Sequence, residues 1–487
     1  MRTLVACSLG GASGIFAFTI AAGLTGSTPV ALILGLLAAG LIAWVSRGRS
    51  IVPLDESASS RGLTIVAVVA TIVALVQLTR LAVFMVDPSQ RGYSSVPTSE
   101  WEVRHSCVSA YFVSARAAHR VSNLYADSLY TSPDDDPTKL RKPLRIGHFN
   151  IDVFEYPPPF LLLPRALRLL VPDFERFRMM WFGLNGAVVL LAMLVLARSL
   201  GREAGTRALL LFPLVWAAFP TLSTLQKGNV QAVVISLSVL AMSFFERRHW
   251  LRGGALLAYA IASKLYPGLL IVYLLLRRQW RAVVSTAAIG VVLVLISLLD
   301  TGWKPYQAFL VRLPELVGGE AFPAFRNPMA QAINFSVPGL VFKLKLFGVP
   351  GMGFAAAKVV GWLYTLIAVA AIYAAAKRQL SERQKPLVWL AIIILATLRS
   401  PFLPQAYAGF PALLLLVSIG ALFSPTPRTL GAILLTWLSL NIFWPLDWPM
   451  DPRLLAVLNV IPQTVTIVLA ILALRGNSRI SRVAAAP

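Results

Sequence analysis

The chain has 487 residues, of which 57% are hydrophobic and only 13% are charged. About a quarter of the residues of a soluble globular protein are charged, so the composition excludes that class and predicts an all-α polytopic membrane protein. The formal net charge of +23 could suggest nucleic-acid binding, but the lysines and arginines are spread through short loops between apolar runs. This distribution is typical of the positive-inside rule, and we expect no nucleic-acid partner.

Apolar runs of membrane-spanning length recur along the chain, and basic loops between them place both termini in the cytoplasm. We predict about 12 spanning helices and one re-entrant helix pair. The apolar segments are 3–25, 29–46, 63–86, 178–199, 208–223, 229–245, 253–277, 282–299, 355–376, 386–398, 408–423, 429–446 and 454–474.

The re-entrant pair is predicted at 253–277, where Lys264 lies in the middle of an apolar stretch whose two ends are both basic. Both ends should be cytoplasmic, which a single crossing cannot satisfy. Pro267 disfavours helix at the residue before it, so we predict two half-helices that meet near Lys264. An ammonium at this depth usually faces a site, here one reached from the outer side. A lysine that only snorkels or pairs structurally remains the alternative.

Two long polar segments, 87–177 and 300–350, fall outside the predicted spans and on the outer face. Ser99 and Glu102 have capping-box spacing, so we predict that a helix begins there and runs along the membrane surface. Helical periodicity places Glu102, His105 or Ser106, Ser109 and Arg116 on one face of it.

The rest of the first polar segment contains a predicted surface loop at 131–143, in which we assign no metal role to Asp134–Asp136. The stretch 155–170 is too short and too rich in proline to span, and we predict a second juxtamembrane element there.

Three short patterns occur in a fixed order: "YPPPF" at 156–160, "KGNVQ" at 227–231 and "SKLYPGLLIVYLLLRRQWRA" at 263–282. Together they resemble glycosyltransferase family 87. Members of this family are polyprenyl-phosphate-sugar-dependent transferases with the GT-C membrane fold. The resemblance covers roughly 63–420. It implies a transferase core at 63–423, an N-terminal two-span addition with a cytoplasmic loop at 1–62, and a C-terminal two-span region with a tail at 424–487.

The family motifs carry over unevenly. Lys264 and Pro267 match outright, whereas the family's Gly-Gln-x-Asn is transposed, as Gly228, Asn229 and Gln231.

Two further family positions differ. Tyr111 fits the family frame, but the aspartate expected a few residues before it is replaced by Cys107 and Val108. Near the end of the core, Ala406 stands where the family usually has histidine, although Tyr407 is present.

The resemblance implies inverting transfer of a sugar, mannose or another hexose or pentose, from a polyprenyl-phosphate donor to a lipid or glycan acceptor. The reaction would take place at the outer face of the plasma membrane, among membrane lipid. A carboxylate must accept the acceptor's proton, and the leading candidates are Glu102 and Asp87, followed by Asp152 and Glu155. The alternative is that Glu102 only caps its helix and Asp87 only ends a span.

Cations must neutralise the departing phosphate, and Lys264, Arg399 and Lys227 are candidates, although the latter two also suit ordinary interface positions. No metal or other cofactor is expected, because the donor has no diphosphate. The expected substrate-binding residues are Lys264, Arg399, Lys227, Asn229, Gln231, His105, Tyr111, Asp152, Glu155 and Tyr156.

A transporter or flippase of lipid-linked sugar is the rival class, since it could also use an intramembrane lysine. The lack of an internal sequence repeat argues against it. A non-catalytic scaffold would leave Lys264 and the outer carboxylates without a role.

Overall fold

The computed structural model describes residues 1–48, 54–132 and 142–475 of the chain. These residues form α-helices and one small sheet. The first eleven helices are α1 (Arg2–Thr25), α2 (Thr28–Gly48), α3 (Arg61–Val86), α4 (Glu100–Arg104), α5 (Cys107–Ala117), α6 (Leu162–Leu170), α7 (Phe174–Ser199), α8 (Arg202–Leu211), α9 (Pro213–Trp216), α10 (Phe219–Lys227) and α11 (Gln231–Glu246). The others are α12 (Trp250–Ser263), α13 (Leu269–Leu276), α14 (Trp280–Thr301), α15 (Lys304–Gly318), α16 (Pro328–Ala332), α17 (Gly339–Leu346), α18 (Phe354–Ala376), α19 (Lys385–Thr397), α20 (Gln405–Ala421), α21 (Pro427–Leu440) and α22 (Pro452–Arg475).

Seven helices in the described ranges are long and apolar enough to cross a membrane, namely α1, α2, α3, α7, α14, α18 and α22. Several of their large apolar side chains are exposed, among them Leu36, Ile72 and Leu366. Exposed apolar surface of this extent, on helices of spanning length, is typical of a bundle that faces lipid. The prediction of an all-α, multi-pass membrane protein is therefore confirmed, whereas the remaining apolar segments form shorter or broken helices.

The predicted span at 208–223 is not a straight helix. The chain bends by 62° between Trp216 and Phe219, where α9 gives way to α10. Pro213 begins α9, and Pro220 lies in the first turn of α10. A proline supplies no N–H to the helical ladder, so each one interrupts the run.

The stretch around Lys264 is also broken. Helix α12 ends at Lys264, whose backbone is extended (φ −147°, ψ 134°). A single 3₁₀ turn, Tyr266–Gly268, then leads into α13. Near the start of α12, Gly254 lies against the side chain of Ser285, which is close to the start of α14.

The far end of α13 is tied to α18. The Arg277 guanidinium donates hydrogen bonds to the carbonyls of Ala376 (3.1 Å) and Arg378 (3.0 Å). Lys385, at the start of α19, donates a hydrogen bond from its ammonium to the Glu246 carboxylate at 2.6 Å. Glu246 is the last residue of α11 and lies just before α12. The loop between α18 and α19 thus connects the end of α13 to the segment that leads into α12.

The helix predicted to begin near Ser99 begins there, but it does not continue. The Ser99 hydroxyl accepts a hydrogen bond from the Glu102 N–H at 3.1 Å, which is an N-cap. The helix stops after α4 because His105 and Ser106 form a strand, β1. The prediction of one continuous surface helix is wrong, and the chain resumes as α5 only at Cys107.

The sheet has the strand order β1-β3-β2, with β2 at Arg145–Ile146 and β3 at Phe149–Ile151. Strand β1 is parallel to β3, in the register His105 to Asn150, and β2 is antiparallel to β3. Most of the predicted surface loop at 131–143, including Asp134–Asp136, lies outside the described residues.

The 155–170 stretch forms a 3₁₀ turn, Pro158–Leu161, and the nine-residue helix α6. Nine helical residues are too short to span a membrane, as expected. Helix α6 packs against α5, so these two helices of the 87–177 segment form one layer beside the bundle.

Candidate active site

The pairing of β1 with β3 brings His105 and Asp152 together. The His105 Nε2 atom lies 3.8 Å from the Asp152 Oδ2 atom, and the Asp152 side chain is 34% exposed. Its Oδ1 atom accepts a hydrogen bond from the Val153 N–H at 3.0 Å. The Oδ2 atom of Asp152 therefore faces an imidazole, and the partly exposed side chain is accessible to a ligand.

His105 is held in place by an aromatic neighbour. Its ring stacks on Trp101, with ring centroids 4.7 Å apart and planes 16° apart. Burial lowers the pKa of His105, and the Asp152 charge only partly opposes that effect. At neutral pH we therefore expect His105 to be a neutral imidazole beside Asp152.

Cys107 begins α5, and several polar groups converge on its buried sulfur. The Asn229 amide donates a hydrogen bond to the Sγ atom at 3.2 Å. The Tyr407 hydroxyl lies 3.3 Å away, and the His105 Nε2 atom 3.6 Å away. Burial raises the pKa of Cys107 to about 12, so this side chain is a neutral thiol at physiological pH.

Asn229 and Gln231 are positioned by a tight turn between α10 and α11. Gly228 has φ 65°, and a Cβ there would overlap the Val108 side chain. The Gln231 amide donates a hydrogen bond to the Tyr407 carbonyl at 3.3 Å. The transposed family motif thus ties α11 to α20 beside Cys107.

Tyrosines line the adjacent wall. The hydroxyls of Tyr111 and Tyr156 lie 3.0 Å apart, and the Tyr111 hydroxyl accepts a hydrogen bond from the Val230 N–H at 3.1 Å. The Phe160 ring meets the Tyr111 ring edge-to-face, with centroids 4.9 Å apart, so the "YPPPF" turn packs on α5.

Lys264 lies across from these rings. Its Nζ atom is 5.8 Å from the centre of the Tyr156 ring and 5.6 Å from that of Tyr407. Within residues 1–48, 54–132 and 142–475, no carboxylate is within ion-pair distance of this ammonium. Ring faces stabilise a cation without neutralising it, so Lys264 retains its charge for an anionic ligand.

Glu155 is close to the same group and is partly buried. Its pKa is raised well above the ordinary value, chiefly by burial and next by the Asp152 charge, while Lys264 and Arg312 act in the opposite direction. A proton is therefore held more tightly on Glu155 than on an ordinary carboxyl.

Glu102 and Lys227 form a separate buried pair next to His105. The Lys227 ammonium lies 2.8 Å from the Glu102 Oε1 atom, and the two side chains are 8% and 3% exposed. The Ser223 hydroxyl donates to the Glu102 Oε2 atom at 3.2 Å. Both oxygens of Glu102 are occupied within the protein.

The two remaining predicted residues have other neighbours. Asp87 accepts hydrogen bonds from the Ser89 N–H (3.0 Å) and hydroxyl (2.6 Å), and these bonds lower its pKa. The Arg399 guanidinium donates to the Thr365 hydroxyl at 2.8 Å and lies over the Trp362 ring. The structure thus brings together His105, Tyr111, Asp152, Glu155, Tyr156, Asn229, Gln231 and Lys264, with the Glu102–Lys227 pair beside them.

One set of side chains in this group could hold a metal. The His105 nitrogen, the Cys107 sulfur and an Asp152 oxygen all lie within 4.8 Å of one another. Nitrogen, thiolate and carboxylate donors suit zinc. The expectation that no metal is needed stays a prediction.

The sequence did not identify Cys107, Trp101 or Tyr407 as parts of the site. Cys107 carried a usable signal, because it occupies the stretch where the family has its aspartate. Trp101 carried none, since its stacking on His105 depends on the break between α4 and β1.

The comparisons with known proteins agree with these sequence patterns. The family model described as "Glycosyltransferase family 87" matches residues 154–401. The match includes Tyr156, Asn229 and Lys264, whereas His105, Cys107 and Asp152 lie before it. No curated protein and no solved structure matches the chain.

Proposed function

This chain belongs to glycosyltransferase family 87, and we propose that it moves a sugar from a polyprenyl-phosphate donor to a hydroxyl of a lipid or glycan acceptor. The sugar is a hexose such as mannose, or a pentose. The reaction inverts the anomeric centre and takes place at the outer face of the plasma membrane.

The observation that carries this proposal is the position of one base, Asp152, and one cation, Lys264, on either side of the Cys107–Tyr407 contact. Asp152 is partly exposed and has an oxygen directed at His105. Cys107 lies beside it and contacts Tyr407, whose ring faces the Lys264 ammonium at 5.6 Å. A transferase of this kind needs a proton acceptor and a phosphate-neutralising cation on opposite sides of the anomeric carbon.

Asp152 is the better base than the two residues that the sequence ranked first. Both oxygens of Glu102 already bind Lys227 and Ser223 inside the protein, and Asp87 is engaged with Ser89. The Asp152 Oδ2 atom takes the proton as the acceptor oxygen attacks the anomeric carbon. Neutral His105, whose Nε2 atom lies 3.8 Å from Asp152 Oδ2, keeps this carboxylate oriented.

The leaving group departs towards Lys264. As the new glycosidic bond forms, the bond between the anomeric carbon and the phosphate oxygen breaks, and its electron pair stays on the phosphate. The Lys264 ammonium neutralises the negative charge that develops there. A single displacement of this kind inverts the anomeric configuration.

The topology that serves this chemistry is a re-entrant α12–α13 pair with Lys264 at its tip, within a bundle of about 12 spans. Two contacts support it. Gly254 lies against Ser285 near the starts of α12 and α14, and the Arg277 guanidinium reaches the loop that leads to Glu246. A hairpin also explains why both flanks are basic.

The transferase core in this proposal is 63–423, with 1–62 and 424–487 as two-span additions and with 87–177 and 300–350 on the outer face. The family match at 154–401 falls inside that core.

The test is an assay of purified protein with labelled polyprenyl-phosphate hexose and pentose donors and with membrane lipid extracts as acceptors. We expect the label to move onto the acceptor with release of unlabelled polyprenyl phosphate, and the product to have the opposite anomeric configuration. In sealed proteoliposomes, label that crosses the bilayer while still attached to its donor, with no product, would instead identify a transporter.

A further inference from the structure

A second group of charged side chains lies outside the candidate active site, where α5 packs on α6. We call Arg116, Arg120, Arg165 and Arg168 the arginine cluster. Arg116 and Arg120 are exposed, and Arg165 and Arg168 are partly buried. The four guanidinium groups are near enough to influence one another, because the charges of the other three act on Arg168.

Among the described residues, a carboxylate neutralises one member of the cluster, Arg165. The Arg165 guanidinium binds the Asp300 carboxylate, with one contact at 2.8 Å, and donates to the Ala115 carbonyl at 3.1 Å. The His119 ring also lies 3.6 Å from the Asp300 carboxylate. In the described part of the chain, neither Arg116, Arg120 nor Arg168 forms an ion pair.

Arg168 is partly buried and, within the described ranges, lacks a hydrogen-bond partner at one nitrogen. Its Nε atom is shielded from solvent and has no hydrogen-bond partner among the described residues. Burial, followed by the charges of Arg165, Arg116 and Arg120, lowers its pKa. Like charges held together in this way destabilise the fold unless an anion joins them.

The cluster lies where a membrane surface would be. Leu169 and Leu170 at the end of α6 are 81% and 66% exposed, and Leu299, next to Asp300, is 89% exposed. Apolar side chains beside guanidinium groups suit the boundary between lipid tails and headgroups.

The position of the cluster along the bundle makes its charge unusual. Asp300 is near the end of α14, whereas the basic loop of Arg277, Arg278 and Arg281 lies at the start of that helix. The positive-inside rule accounts for the basic loop at the start but not for arginines at the opposite end. The cluster therefore requires a different explanation.

We propose that the arginine cluster binds the phosphate of an anionic phospholipid, in the leaflet that Leu169 and Leu170 enter. Guanidinium groups pair with phosphate oxygens through two parallel N–H donors, which suits arginine better than lysine. The lipid tails cover the exposed leucines. Arg116 lies about 13 Å along the α5 axis from Cys107, so this site is distinct from the one around Asp152 and Lys264. The proposal does not depend on the chemistry proposed for that site.

The experiment is native mass spectrometry of the full-length protein released from micelles that contain phosphatidylglycerol and phosphatidylcholine. The test variant is Arg116→Gln/Arg120→Gln/Arg168→Gln. The matched control is Arg145→Gln/Lys304→Gln/Arg326→Gln, which removes the same charge from exposed positions outside the cluster. We expect phosphatidylglycerol to bind the wild type and the control alike and the test variant roughly 100-fold more weakly.

Two additions keep the result interpretable. The double variant Arg116→Gln/Arg120→Gln changes only exposed side chains, so it should fold normally and bind phosphatidylglycerol about 30-fold more weakly than the wild type. Excess inorganic phosphate should not displace the lipid, because it makes no contact with Leu169 and Leu170. Equal phosphatidylglycerol binding by test and control variants, equal binding of phosphatidylcholine by the wild type, or displacement by free phosphate would each overturn the proposal.

Discussion

The Lys227 ammonium and the Glu102 carboxylate lie 2.8 Å apart, and both side chains are buried. The Gln226 amide also donates to the Glu102 carbonyl at 2.7 Å, and the Ser99 hydroxyl caps α4 at the Glu102 N–H. Glu102 thus fixes α4 against α10. This arrangement argues for a structural role beside the site.

Replacing Glu102 should therefore affect stability first. Glu102→Gln leaves the Lys227 charge buried without a partner, and breaking a buried pair in this way costs about 3–5 kcal/mol. We expect a clear drop in the unfolding temperature in detergent. Glu102→Leu/Lys227→Met removes both charges and should recover most of the loss. A Glu102→Gln protein of normal stability and without transfer activity would instead identify Glu102 as the base.

Replacing Asp152 should affect catalysis. Asp152→Asn keeps the shape of the side chain but removes the proton acceptor, and we expect the transfer rate to fall about 10²–10⁴-fold. Donor binding should change little, because the carboxylate acts on the acceptor. Asp87→Asn is the matched control and should retain near-normal activity. Full activity of Asp152→Asn in folded protein would rule out Asp152 as the base and leave Glu155 as the candidate, or Asp87 if the Asp87→Asn variant is inactive.

The position of Cys107 allows a sharper test of the proposal that Asp152 is the base. Its sulfur lies within 4.8 Å of an Asp152 oxygen and next to the amide of Asn229. In family 87 an aspartate is expected in this stretch. We expect Asp152→Asn/Cys107→Asp to regain about tenfold of the rate lost in Asp152→Asn, because the new carboxylate reaches the same space.

The control for this exchange is Asp152→Asn/Cys107→Asn, which has the same shape without a proton acceptor. It should remain as slow as Asp152→Asn alone. Equal rates for the two double variants would show that a carboxylate at position 107 cannot reach the acceptor hydroxyl.

The membrane class and the broken helix at Lys264 could be predicted from the sequence because both depend on local features. Apolar runs identify spanning helices directly, and Pro267 marks a break wherever it occurs. The bend before Phe219 had the same kind of signal in Pro213 and Pro220. In both stretches the prolines break the helix even though the surrounding apolar run is long enough to predict a straight span.

The neighbourhood of Asp152 could not be predicted, because it depends on pairing between distant strands. His105 pairs with Asn150 in a parallel register, and no local pattern in either segment specifies that register. The apparent helical periodicity from Glu102 to Arg116 pointed to a continuous helix. Backbone pairing with β3 prevailed over that local preference, and it carried His105 to Asp152.

Glu155 provides a pH-dependent prediction. Its folded-state pKa is raised above the ordinary value of 4.5, so the folded protein binds its proton more tightly than the unfolded chain does. The stability that this group contributes is complete below pH 4.5 and is lost as the pH rises through the folded pKa. Glu155→Gln cannot ionise, so it should be more stable than the wild type at pH 8, with a smaller difference at pH 5. Unfolding temperatures across this range provide the measurement, and parallel curves for the two proteins would contradict the prediction.

The last prediction concerns the sides of the membrane reached by the ends of the α12–α13 pair. If the pair is re-entrant, positions 250 and 280 face the same side, the cytoplasm. Single cysteines replace Trp250 and Trp280 in a background with Cys7→Ser and Cys107→Ser, because Cys7 is exposed and would otherwise react. In intact cells, a membrane-impermeant maleimide should label neither position until the membrane is opened. A third cysteine in place of Lys304, which follows α14, should be labelled from outside and so proves that the reagent works. Labelling of only one of positions 250 and 280 in intact cells would mean that the stretch crosses the membrane once.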